Sequence, residues 1–489
     1  MIFASAGFLV FSLIAILLLR VTRGTTALPA SVALLNISFI YIFFGGTAAA
    51  TLAAIVAVGY GLVTLADSHG RKASIPGILC LVLLYLVFKG YTFVPGLSFL
   101  EDLPVVVGFS YLIFRLIHLI VDASEKALPE RPGPVQFFAY CLFFPSLLSG
   151  PIQRFADFTA GWTVERVQTR DVARVVWGYV KVMLIAPAIF AVHERLLVKS
   201  TMPIWAGVDL RLLLHMVPPD TLAHTAGFVA IIGAAAVWFI YLYWNFSGYM
   251  DIVIGMSRLA GFVLPENFNR PFQTNGFIDF WTRWNMTLTH WFRTYVFGPL
   301  FKVLVSRTNI DTRIQAVFSL FVTFLLVGAW HGTTSPFLVC GVLLGLAAAI
   351  NKTYQDWIGG WLGKKRYRVL TENFVYQCFC FGLTFVFMSI AIVPFWMPTD
   401  QYYGFLKTLF GPAALTLPAF VGVAAIAIGV LRQLELTFFS QISAIYCRAE
   451  NQIGEEIMFG FAAGVAINLI LILTFANYSQ LPDFVYQRF

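Results

Sequence analysis

The chain predicts an all-α, multi-pass transmembrane protein. Three observations carry that class: 59% of its 489 residues are hydrophobic, only 11% are charged, and the apolar residues gather in runs near membrane-spanning length. Soluble domains carry roughly 25% charged residues, and a transmembrane helix needs about 20 predominantly apolar ones. The runs centre near Ile14, Ile40, Ala54, Leu84, Phe114, Val182, Val237, Phe321, Leu344, Phe385, Val423 and Ile467, and Gly45-Gly46 divides the pair at Ile40 and Ala54. Some runs are short, so the expectation is roughly ten or eleven crossings with re-entrant or interfacial helices beside them.

No polar stretch is long enough to build a soluble domain, which predicts a single membrane domain over residues 1–489. Gly and Pro are spread among short turns instead of marking a linker, and no internal repeat is evident. The first run, Ile2 to Leu19, lacks a basic leader and a small-residue cleavage site, and Arg20 and Arg23 follow it. A retained helix with its N-terminus outside is expected.

The net charge of +8 comes in short clusters between apolar runs: Arg71-Lys72, the stretch from Arg166 to Arg174, and Lys364-Lys365-Arg366 with Arg368. The positive-inside rule accounts for them and places all three in the cytoplasm. A nucleic-acid partner is therefore not expected. Six cysteines, Cys80, Cys141, Cys340, Cys378, Cys380 and Cys447, fit neither a zinc-site spacing nor a disulfide framework. They read as packing residues, with Cys378 and Cys380 on different helix faces.

Between Lys302, Arg307 and Arg313 on one side and the Lys364 cluster on the other lie two apolar runs, roughly Ile314 to Trp330 and Phe337 to Ile350. They must form a hairpin, and Gly332-Thr333-Thr334-Ser335-Pro336 supplies its turn. Both arms look shorter than a full span, which predicts a turn sunk below the outer surface, lining a cavity where irregular backbone is tolerated. The segment from Phe277 to Phe297 is too polar for an ordinary span and too aromatic for a solvated loop. Asp279 and Arg283 lie one helical turn apart and can pair, while Trp284 and Trp291 share a face. An amphipathic or re-entrant helix near the cytoplasmic interface is expected there.

His331 stands in the turn of the hairpin, in Gly-Ala-Trp-His-Gly, at a depth where an ionisable group is rare and functional by default. A neutral imidazole near its ordinary pKa is suited to taking a proton from a hydroxyl. Asn285, forty-six residues earlier, carries an amide that can donate to a developing oxyanion or orient a carbonyl without bringing charge into the membrane. Taken alone, such an asparagine more often serves as an interhelical hydrogen-bonding residue. His290, Trp330, Trp284 and Arg283 flank these two as supporting candidates. A second polar patch, Trp244-Asn245-Phe246-Ser247-Gly248-Tyr249-Met250-Asp251, places Asn245, Ser247 and Tyr249 where they can line a channel. Asp251 and Arg258, seven residues apart, suit a buried ion pair. Arg115, His118 and Asp122 share one helical face and are expected to organise the core. His69, His193, His215 and His224 are scattered among loops and segment ends, so no metal site is expected. No nucleotide loop of the Gly-x-x-x-x-Gly-Lys type is present.

Several of these words occur in one order. Pro-Glu-Asn-Phe-Asn-Arg-Pro-Phe at 265–272, Phe-Trp-Thr-Arg-Trp at 280–284 and Trp-His-Gly at 330–332 resemble the membrane-bound O-acyltransferase superfamily. The word at 246–251 is similar to the family's Phe-Ser-Gly-Tyr-Ser-Asp, with Met250 replacing the serine. Pro145 through Arg154 resembles its Phe-Phe-Pro and Gly-Pro-Ile element, and the tail at 482–489 resembles the ending of the bacterial branch, which includes alginate acetyltransferases and the D-alanyl transferase of teichoic acids. In that branch the position of Asn285 is usually histidine. Asparagine is the form of eukaryotic lipid and protein acyltransferases, which argues against a two-histidine mechanism.

The resemblance implies a many-helix shell around a central tunnel in a bacterial inner membrane, with no tightly bound cofactor. A thioester donor, acetyl-CoA or an acyl carrier protein, reaches in from the cytoplasm. His331 acts as base or relay and Asn285 positions the carbonyl. A small acyl group, acetyl first, passes toward a secreted or cell-wall polysaccharide, with membrane lipid around the enzyme and a periplasmic or extracellular acyltransferase partner completing delivery. D-alanyl transfer from a carrier protein and lysophospholipid acylation use the same residues. A transporter, from another class, would show repeats.

Overall fold

The computed structural model describes residues 3, 5–91, 108–164, 166–201, 219–411 and 415–431. Among these the structure is helical, and the only strand-like pairing is one antiparallel bridge between Phe268 and Trp284. The crossing expected near Ile467, Cys447, His215 and the tail at 482–489 lie outside the described residues, as does the side chain of His224.

Seven described helices are long and apolar enough to span a membrane: Leu28–His69, Arg71–Lys89, Thr169–Leu197, Gly227–Leu259, Thr312–His331, Ser335–Glu372 and Phe374–Ala391. Two shorter apolar helices are Ala6–Thr22 and Leu417–Leu431. The chain is thus an all-α, multi-pass membrane protein. The runs at Ile40 and Ala54 form one helix, Leu28–His69, interrupted at Gly45 (φ 89°, ψ 170°). The run at Phe114 becomes Phe109–Ser124, a helix of 16 residues with buried side chains on every face. It is too short for an ordinary crossing and is wrapped by protein.

The described residues divide into two compact units, one drawn from Met1–Leu184 and Asn245–Asn267, the other from Ile185–Trp244 and Phe268–Ala449. In the first unit, Arg115 is 1% exposed. Its Nη1 donates to the carbonyls of Tyr140 (3.0 Å) and Cys141 (2.8 Å), and its Nη2 to the carbonyl (2.9 Å) and hydroxyl (2.6 Å) of Ser146. A buried guanidinium is tolerable only when its donors are met, and here backbone oxygens meet them. His118 Nε2 accepts from the backbone N–H of Phe155 (3.3 Å), so Nδ1 carries the proton and faces the Tyr140 hydroxyl at 3.3 Å. Arg115 thus ties down residues 140–146 and His118 the start of helix Phe155–Ala160, on either side of the Gly-Pro-Ile segment, and both organise the core.

The second unit contains the hairpin. Helix Thr312–His331 ends at the histidine, the turn takes residues 332–334, and Ser335–Glu372 returns. The two arms pack closely because Gly328 faces Gly341: a Cβ on Gly328 would lie 2.2 Å from the Gly341 Cα, and one on Gly341 would lie 2.6 Å from the Leu325 carbonyl. The expectation of two short arms is corrected. The first has 20 residues, about 30 Å of helix, and the second runs 38 residues with a break at Gly363. Helix propensity carries both arms through the polar segments flanking each apolar run, so apolar length understated helix length.

Candidate active site

His331 is the last residue of its helix and is 5% exposed. Its ring packs against Trp330 (centroids 4.7 Å apart) and against Phe395 (4.9 Å, 63° between planes). Phe395 closes the short 3-10 turn Val393–Phe395 and also contacts Phe337, at 5.2 Å, from the start of the returning arm. Gly332 permits this closure: a Cβ there would fall 2.1 Å from the Phe337 ring. The histidine therefore sits in an aromatic enclosure made by the hairpin turn and the segment after Phe374–Ala391. Such walls keep bulk water from a reacting centre.

Asn285 is 1% exposed and adopts the left-handed conformation (φ 44°, ψ 52°) at the start of helix Met286–Phe292. Asparagine tolerates that region better than most side chains, which explains the residue type at a sharp change of direction. Its carbonyl accepts from the Thr289 N–H at 3.0 Å, beginning the helix. The residues before it are tightly held. Trp284 stacks on Phe280 (5.4 Å, 24°) and meets Phe268 edge-on (5.1 Å), while the Asn269 N–H donates to the Arg283 carbonyl at 2.9 Å.

Asp279 caps this turn by accepting from the Asn275 N–H (3.0 Å), the Thr282 hydroxyl (3.2 Å) and Arg283 Nε (3.3 Å). The expected pairing of Asp279 with Arg283 is thus present, and Trp284 and Trp291 are both buried. The polar segment is not one amphipathic helix. It breaks into Phe277–Trp281, Met286–Phe292, a π-helical turn Arg293–Phe297 and Gly298–Arg307. The left-handed Asn285 imposes the principal break.

The Asn285 segment and the histidine helix belong to the same unit and meet through rings: Trp281 and Phe277 pack against Phe324, at 5.3 and 5.5 Å, two turns before His331. Asn351, on the returning arm, accepts from the Ile278 N–H at 3.3 Å. Trp330 is buried against His331, Trp284 is buried against Phe280 and Phe268, Arg283 is committed to Asp279, and His290 is exposed on helix Met286–Phe292.

Asn245, Tyr249 and Asp251 belong to the other unit. Asn245 and Ser247 are buried, and Asn245 Oδ1 and Ser247 Oγ have no hydrogen-bond partner among the described residues. Tyr249 is buried against Phe3 (4.7 Å). The expected pairing of Asp251 with Arg258 is corrected. Asp251 instead accepts from Arg174 Nε (3.0 Å) and Lys181 Nζ (2.7 Å), while Arg258 donates to Asp171 at 2.6 Å. Seven residues bring two side chains onto one helix face but about two turns apart, so each takes a partner from helix Thr169–Val180 and the turn after it.

His193, expected at a segment end, lies inside a helix. It is 1% exposed within helix Ala186–Thr201, its Nδ1–H donates to the Ala234 carbonyl at 2.9 Å, and its ring meets Trp396 at 4.9 Å. Trp396 follows the Phe395 that touches His331. The helical spacing of Phe190 and His193 was the available signal. Among the described residues no group of histidine, cysteine and carboxylate side chains is arranged to hold a metal ion.

The model of the MBOAT, membrane-bound O-acyltransferase family, matches residues 79–393, more than half of the chain. The chain belongs to that family, and its class is that of the membrane acyltransferases. Among curated relatives it is 26% identical to a teichoic acid D-alanyltransferase of Bacillus subtilis (strain 168) over 59% of this chain and 68% of that protein. It is 30% identical to the "Probable alginate O-acetylase AlgI" of Azotobacter vinelandii over 51% of this chain and 45% of the relative. A teichoic acid D-alanyltransferase of Streptococcus thermophilus (strain ATCC BAA-250 / LMG 18311) is 26% identical over 56% of this chain and 61% of its own length. The chain thus spans about half the length of the Azotobacter relative and about two thirds of the D-alanyltransferases.

Proposed function

We propose that this protein resides in a bacterial inner membrane and moves a small acyl group, acetyl first, from a cytoplasmic thioester donor toward a secreted or cell-wall polysaccharide. The observation that carries the reading is the single imidazole of His331, buried at a helix end among Trp330, Phe337 and Phe395 in a chain of acyltransferase class. In this scheme His331 takes the proton from the acceptor hydroxyl as its oxygen attacks the thioester carbonyl carbon. The carbonyl π electrons move onto oxygen, and the Asn285 amide donates to that oxyanion. When the tetrahedral species collapses, the C–S bond breaks and the proton on His331 passes to the departing thiolate. The aromatic walls limit hydrolysis of the thioester.

Acetyl-CoA or an acyl carrier protein serves as donor, and no resident cofactor is needed. A periplasmic or extracellular acyltransferase partner completes delivery to the glycan. Purified protein in proteoliposomes, given radiolabelled acetyl-CoA on one face and soluble polysaccharide with a periplasmic extract that supplies the partner on the other, tests the reading. Label in glycan, dependent on His331, supports it; label in phospholipid instead moves the acceptor to a lysolipid. D-alanyl transfer is the second reading, favoured by the longer share of the Bacillus relative that is matched. A D-alanyl carrier protein in the same assay separates the two.

A further inference from the structure

The unit containing residues 1–184 holds a cavity of about 420 Å3 that no step of acyl transfer uses. Its volume falls within the range of about 300–1,000 Å3 common for small-molecule sites. Arg23 and Thr25 contribute from one side, Glu130 and Gln136 from another, and Trp162 and Val32 add apolar surface. The cavity lies at the end of helix Ala6–Thr22 and the start of Leu28–His69. Val10, Leu13, Leu17 and Val21 on the first helix, and Leu34 and Ile37 on the second, are exposed apolar side chains of the kind that face lipid. It therefore opens at the depth of the phospholipid headgroups, where arginine and tryptophan are favoured.

Its charges are opposite and unmatched. Arg23 donates to the Val164 carbonyl, and Glu130 accepts from Gln136 Nε2 at 3.2 Å, yet neither takes part in an ion pair among the described residues. A purely anionic ligand would meet Glu130, and a purely cationic one would meet Arg23. A zwitterion satisfies both. We propose that this cavity binds the headgroup of a zwitterionic phospholipid bearing a primary ammonium, of the phosphatidylethanolamine type. The phosphate accepts from the remaining guanidinium N–H groups of Arg23, while the Thr25 hydroxyl stays committed to the Thr22 carbonyl at 2.6 Å. The ammonium donates to Glu130 and to Gln136 Oε1, with the Trp162 ring as an added cation surface. A quaternary choline has no N–H to donate, and a glycerol headgroup brings no cation to Glu130, so the site selects among lipids.

The test incubates delipidated full-length protein with an equimolar mixture of dioleoyl phosphatidylethanolamine, phosphatidylcholine and phosphatidylglycerol, then counts retained lipids by native mass spectrometry. One phosphatidylethanolamine should be retained at about tenfold preference over either competitor, a difference of about 1.4 kcal/mol. Glu130→Gln, on an exposed loop, should abolish the preference over phosphatidylglycerol, and Arg23→Gln should lower retention of all three. Arg23→Lys, which keeps the charge, should restore binding if loss of the Val164 contact disturbs the fold. Equal retention of the three lipids, preference for phosphatidylglycerol, or an unchanged preference in Glu130→Gln would each overturn the proposal.

Discussion

Replacing His331 with alanine removes the imidazole from between Trp330 and Phe395, whose rings lie 4.7 and 4.9 Å from it. Two effects must be separated. Loss of a positioned acid-base group costs about 10²- to 10⁴-fold in rate, which is about 3–5 kcal/mol of barrier. Loss of a buried ring also leaves a void in an aromatic cluster, a core defect of about 1–3 kcal/mol in stability. The enclosure is held by Phe337 and Phe395 as well, so the hairpin should survive. His331→Gln, which fills more of the void but cannot act as a base at neutral pH, separates the terms: it should recover stability and leave transfer as low as alanine does. The assay is the initial rate of labelled acyl transfer in proteoliposomes, normalised to folded protein by size-exclusion fluorescence. A normalised rate within about threefold of the native protein for either variant would remove His331 from the mechanism.

Asn285→Ala should lower turnover by about 10-fold or more through loss of an oxyanion donor, and Asn285→His should recover part of it; steady-state rates in which alanine equals asparagine would exclude the amide. Asp251→Asn leaves Arg174 and Lys181 short of a partner while Arg174 keeps Glu266. That partial compensation reduces the usual cost of breaking a buried pair to about 2 kcal/mol, seen as a lowered unfolding temperature. Gly341→Val should separate the hairpin arms and lower both stability, by about 2 kcal/mol, and turnover; an unchanged unfolding temperature would contradict the close approach at Gly328. Single cysteines at Thr334 and Lys365, in a background without native cysteines, test the direction of acyl flow. An impermeant thiol reagent applied to intact cells should label position 334 and spare 365, whereas strong labelling at 365 would invert the topology.

The hairpin and its histidine were legible because hydropathy, a turn word and a lone ionisable group all fall within one stretch of chain. Asp279 and Arg283 were legible for the same reason, as partners four residues apart. What escaped was settled by residues distant in sequence. The carbonyls around Arg115 come from 25 to 31 residues away, and the cations that hold Asp251 from 70 and 77. His193 looked incidental because nothing local shows that Trp396 will lie beside it. The break at Asn285 is a backbone event, with only the residue type to hint at it.

The glycine contact between the hairpin arms bears on how this site can evolve. A helix advances 1.5 Å and turns 100° per residue, so a slip of one position would swing His331 out of its aromatic enclosure. Gly328 against Gly341 admits one vertical setting of the arms, because any neighbouring alignment would put a side chain where a Cα now lies. Insertions and deletions should therefore be purged between residues 328 and 341, while sequence drift on the outward faces of both helices is tolerated. The histidine's address is written less in the residues that touch it than in the small ones that forbid the arms to slide.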